Sequence, residues 1–107
     1  MEAKHREIRV YQTPDNQEPF WKWLDRLADQ EAFNRILKRI DRVETGNFGE
    51  WDSVGDGVFE LVLDFGPGYR VYFGQDGDLV VLLLGGSKKT QDRDIANAKE
   101  YWRDYNA

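Results

Sequence analysis

The chain has no cysteine, one histidine, one methionine and three prolines among its 107 residues. Without cysteine there is no disulfide framework, no thiolate nucleophile and no cysteine-ligated metal site. The histidine, His5, lies in the N-terminal arm and reads as a solvent-exposed residue, not a general base. Any proton transfer must then fall to lysine, arginine, tyrosine or a carboxylate. No apolar run reaches the roughly 18 residues that suggest a membrane span. The segment Met1–Arg6 lacks the apolar stretch of a secretory signal. A cytoplasmic protein without a membrane partner is therefore expected. Basic excess is missing as well: the net charge is −5 at pH 7 and the isoelectric point about 4.8. A polyanionic ligand would have to use local basic patches, not the field of the whole molecule.

Four Trp, five Tyr and six Phe supply much of the area to be buried. The length suits one domain, spanning residues 1–107, with one core. Residues 7–12 alternate polar and apolar, as a half-buried strand does. Thr13-Pro14-Asp15-Asn16 breaks the pattern, and Pro19 fits only the first turn of a helix. Phe20, Trp23, Leu24 and Leu27 recur at helical spacing. After a break at Asp29-Gln30, Phe33, Ile36, Leu37, Ile40 and Val43 mark a second amphipathic helix, ended by Gly46 and Gly49. Three strands follow, joined by tight turns: Val58–Phe65, 69–74 and Leu79–Leu84. Gly66-Pro67-Gly68 supplies the first turn and Asp76-Gly77 the second. Thr90 offers a cap for a last helix with the stripe Ile95, Ala98, Trp102 and Tyr105. The expected fold is α+β in the order β-α-α-β-β-β-α, with the helices packed on one side of an antiparallel sheet.

The motifs Gly46-Asn47-Phe48-Gly49, Val54-Gly55-Asp56-Gly57-Val58 with Glu60-Leu61, and Gly66-Pro67-Gly68-Tyr69-Arg70-Val71-Tyr72-Phe73 stand in this order. Leu84-Gly85-Gly86 then precedes Lys88, Gln91, Asp92, Asp94, Ile95, Ala98 and Lys99. From about residue 7 to 104 the chain resembles the RelE/ParE superfamily of bacterial toxins, in its HigB-like addiction module killer branch. The resemblance implies a RelE-like fold and a type II toxin neutralised by a helix-turn-helix antitoxin. It also implies ribosome-dependent cleavage of mRNA, translation arrest, and no metal or cofactor. ParE-like members act instead on DNA gyrase, and a weakened toxin that keeps only antitoxin binding is a third alternative. Fold alone does not choose among them.

RNA cleavage through the 2′-hydroxyl needs charge stabilisation at phosphorus and proton transfer at the attacking and leaving oxygens. Arg70 matches the family's Tyr-Arg position and is expected on the non-core face of its strand. The alternative is a surface ion pair with Glu60 or Asp64. Tyr72 shares that face and either stacks on a base or covers the sheet. Lys88 matches a basic family position and, with its neighbour Lys89, either contacts phosphate or is a solvated loop charge. Arg35, Lys38, Arg39 and Arg42 form a basic stripe for RNA backbone, or else a solvated face or a dock for an acidic antitoxin segment. Where family members often carry an arginine, two residues after Glu60, this chain has Val62.

Overall fold

A computed structural model describes residues 4–107. The elements are β1 (Glu7–Val10), α1 (Pro19–Asp25), α2 (Gln30–Glu44), β2 (Trp51–Gly55), β3 (Val58–Leu63), β4 (Tyr69–Asp76), β5 (Leu79–Ser87) and α3 (Gln91–Tyr105). A single 3-10 turn, Lys88–Thr90, joins β5 to α3. The mixed α+β class follows the expectation, and so does Pro19 at the start of α1. Asp29 caps α2, its carboxylate accepting from the amides of Glu31 and Ala32 at 3.0 and 3.2 Å.

Three features correct the expected architecture. Among the described residues the sheet has five strands, in the order β1-β5-β4-β3-β2. The unexpected strand is β2, whose burial pattern shows no alternation because it forms an exposed edge. Its turn into β3 is Asp56-Gly57, with φ of +56° and +82°. Positive φ at both central residues is the type I′ geometry that Asp-Gly favours. Second, β1 runs parallel to β5, so the sheet is mixed and not purely antiparallel.

Third, helices cover both faces of the sheet. On one face, Phe20 and Leu24 of α1 with Ile36, Ile40 and Val43 of α2 pack on the sheet. On the other, Ala98 of α3 packs with Val58, Tyr72, Val81 and Leu83. Two apolar faces are what a continuous apolar run such as β5 requires. A bulge in β5 then distributes them: Tyr72 pairs with Leu84 but Phe73 with Leu82. Beyond the bulge Gly85 lies under Trp23 of α1, and Gly86 under Asp94 of α3. A Cβ on Gly85 would lie 2.1 Å from the Trp23 ring. The glycine pair therefore lets both helices approach one strand closely.

Candidate functional site

Arg70 sits on β4 opposite Val62 of β3 and Gly86 of β5. Directly paired antiparallel residues share a face, and here that face lies beneath the start of α3. Arg70 is 8% exposed, so it does not project from an open sheet surface as expected. Its Nε stands 3.8 Å from Oε1 of Glu60. Its Nη1 donates to the Tyr69 carbonyl at 3.0 Å. Gln91, in the first turn of α3, donates from Nε2 to the same Glu60 oxygen at 3.0 Å. Asp94, one turn on, is 5% exposed and accepts a hydrogen bond from the Thr90 hydroxyl. Thr90 stands at the N-cap position of α3, but its side chain makes no capping bond. The result is a polar cluster of one buried guanidinium and two buried carboxylates with a half-buried amide and hydroxyl, drawn from β3, β4, the 3-10 turn and α3.

Tyr72 closes the cluster from below. It pairs with Glu60 across the strands and is 0% exposed. Its ring has no free face for a base, because Ala98 and its neighbours on α3 cover it. Tyr72 therefore cannot stack on a base. Among the described residues its hydroxyl has no hydrogen-bond partner. Burial pushes the Tyr72 phenol above its ordinary pKa, and Glu60 and Asp94 add to the shift. It stays protonated, able to donate but not to act as a base.

Lys88 and Arg70 both lie against the Gly66–Gly68 turn. The Lys88 amide donates to the Gly68 carbonyl at 2.7 Å. A Cβ on Gly68, whose φ is +78°, would lie 3.5 Å from Lys88 Cβ and 3.9 Å from Arg70 Nη1. One cation is buried and the other exposed, yet both flank the same turn. Lys89 is exposed beside it; the two lysines line a hollow of about 370 Å³ with Gln91, Asp92 and Arg93.

The stripe on α2 divides. Arg35, Lys38, Arg39 and Arg42 do line one hollow, of about 260 Å³, together with Asp64 and Phe65. Arg39, however, is not free for phosphate. Its Nε donates to the Phe48 carbonyl at 3.1 Å, its Nη1 to Val62 at 2.8 Å and its Nη2 to Glu50. Burial, with Arg42 nearby, pulls its pKa below the ordinary arginine value. It is a clamp that ties the segment after α2 to β3. Arg35 lies over the Phe65 ring at 3.8 Å. Lys38 and Arg42 are exposed and make no ion pair among the described residues.

Glu60, Gln91 and Asp94 thus belong to the site around Arg70. The sequence places Glu60 on the right face but sets it down only as a partner for Arg70. Gln91 and Asp94 carry a legible signal, an i, i+3 pair on the first turn of α3. Their convergence on β4 follows only once α3 crosses to the second face.

An uncharacterized protein of Haemophilus influenzae is 53% identical over 81 residues, which span 75% of this chain and 82% of the relative. The chain belongs to that protein's family. Matched segments of this extent imply a shared fold along most of both chains. No protein-family model matches the chain, and no solved structure does.

Proposed function

We propose that the chain is a toxin of a type II toxin–antitoxin pair, RelE-like in fold, that cleaves mRNA on the ribosome in the cytoplasm and is held in check by a helix-turn-helix antitoxin. The observation that carries this reading is the convergence of Arg70 and Lys88 on the Gly66–Gly68 turn. In the reaction, the ribose 2′-oxygen attacks the adjacent phosphorus and the bond to the 5′-oxygen breaks. The products are a 2′,3′-cyclic phosphate and a 5′-hydroxyl. Arg70 stabilises charge on the phosphoryl oxygens. Glu60, beside it, takes the 2′-hydroxyl proton, and Lys88 gives one to the leaving oxygen. Lys38 and Arg42 supply backbone contacts that steer the ribosome-bound substrate.

Burial favours a second reading. Arg70 and Tyr72 lie under α3, and Val62 replaces a cation opposite Arg70. A toxin that inhibits by binding, as gyrase inhibitors do, needs none of these groups free. Primer extension on a message translated in extract, with and without the protein, separates the two. Cut sites lost in an Arg70→Ala variant that remains folded support the nuclease. Growth arrest in cells without any cut sites supports inhibition by binding.

A further inference from the structure

Trp51 opens the edge strand β2 and is 52% exposed, more than any other large apolar side chain described. It is nevertheless held in place. Its ring meets Phe59 edge to face, centroids 5.7 Å apart, and Phe59 stacks on the buried Phe73 at 5.6 Å. A further strand along β2 does not account for the exposure, because two of its amides are already taken by its own side chains. Ser53 donates to the Asp52 carboxylate at 2.8 Å, and Gly55 to the Ser53 hydroxyl at 3.2 Å.

Beside Trp51 lies a hollow of about 170 Å³, lined also by Arg6, Phe48 and Gln75. Sites that enclose a whole ligand run to roughly 300–1,000 Å³, so this one admits a single ring system and leaves the rest outside. The Arg6 guanidinium stands 5.5 Å over the Phe48 ring. Its Nη1 donates to Gln75 Oε1 at 3.4 Å and lies 4.0 Å from Asp78. Arg6 Nη2 and the Gln75 amide nitrogen have no protein partner among the described residues. The hollow thus combines a fixed aromatic face with unspent hydrogen-bond donors.

We propose that this hollow binds an unstacked purine base, guanine by preference, from a nucleoside or from single-stranded RNA. An indole accepts any base on its face. Donors at the ring edge then select among bases. Guanine turns two acceptors, O6 and N7, toward a guanidinium, whereas adenine offers an amino group in place of O6. The base itself is uncharged, so the exposed Glu50 and Asp52 nearby do not oppose it. They do oppose a phosphate at the hollow itself. An RNA strand has a place for its phosphates on the other side of the 48–50 segment. Arg39 clamps the Phe48 and Glu50 carbonyls there and lines the basic hollow with Lys38 and Arg42. The proposal does not depend on nuclease activity.

The test is titration of guanosine, adenosine, uridine and a short uridine-rich RNA carrying one guanine into isotope-labelled protein. Guanosine should shift the Trp51 indole and the Gln75 side-chain amide, saturably and more tightly than adenosine or uridine. Tighter binding of the RNA, lost as salt rises, would identify a strand as the source; equal affinity would identify the nucleoside. Trp51→Ala should weaken both by about tenfold or more, the scale of one stacked base, and Trp51→Phe should keep part of the binding. Arg6→Lys retains the charge but not the planar fork, and should remove the preference for guanine while leaving the stacking. Absence of shifts at millimolar guanosine, shifts unaffected by Trp51→Ala, or equal affinity for all three nucleosides would overturn the proposal. So would a protein-derived peptide that occupies the hollow more tightly than guanosine or the RNA.

Discussion

Glu60 and Arg70 lie diagonally across neighbouring strands beneath the first turn of α3, 3.8 Å apart and each with a side chain 10% exposed. At this depth the pair matters less for net stability than for what happens when one member is removed. Taking away one partner leaves the other charge buried and uncompensated. Arg70→Met should cost about 3 kcal/mol, the lower end of the range because the contact is long. The double variant Glu60→Leu with Arg70→Met should recover most of that loss. Urea denaturation of the two variants checks this; equal losses in both would show that the charges are not coupled.

Arg39 makes a sharper stability test than its neighbours on α2. It satisfies three carbonyls, so Arg39→Met should cost about 1.5–3 kcal/mol. Arg39→Lys should restore only part, because an ammonium lacks the planar fork. Lys38→Met and Arg42→Met should leave the denaturation midpoint nearly unchanged, as surface substitutions do. Comparable shifts in all variants would remove the distinction between clamp and free cations.

Tyr72 predicts a pH dependence. Burial raises its pKa above the ordinary 10.0, and the phenols of Tyr11, Tyr101 and Tyr105 shift the same way. Above about pH 10 the unfolded chain loses these protons while the folded chain holds them. The folded state then binds more protons, so stability falls as pH rises. The contribution is fully present below pH 10. Tyr72→Phe should flatten the decline. At neutral pH it should change stability by less than about 1 kcal/mol, since the hydroxyl has no partner to lose. A midpoint flat from pH 8 to 11 in the wild type would contradict the assignment.

Val62 lies opposite Arg70 in the register. Val62→Arg adds a second cation on that face. If cleavage is weak because this charge is missing, the substitution should increase cut sites in a translating extract and steepen the salt dependence of RNA binding. A folded Val62→Arg variant with no more cleavage than wild type would exclude a role for this position.

The sequence carried the elements better than their arrangement. Pro19, the apolar spacing of α2 and the Gly66–Gly68 turn each act locally, and each does so as read. The strand Trp51–Gly55 escaped because it is exposed along its length, so no apolar alternation marks it. Its Asp56-Gly57 turn was the available signal. The side chosen by α3 was less visible. The apolar run of β5 requires cover on both faces, but no local pattern says which helix supplies it. The same holds at the site: strand alternation puts Arg70 and Tyr72 on one face, but nothing local shows that α3 covers it. Arg39 misled for another reason, since periodicity locates a charged residue without saying which carbonyls end up within its reach.

The pairing of β1 with β5 also fixes an order of events in time. Glu7 is synthesised well before its partner Leu79. The strands from β2 to β5 join through tight turns and can zip as they emerge. The first strand must wait, because closing so long a loop is slow compared with forming a hairpin. Until β5 exists, the N-terminal segment has nowhere to dock. Afterwards, docking it shields half of an otherwise open edge from other chains. Of the strands described, the earliest made is the one that seals the sheet last.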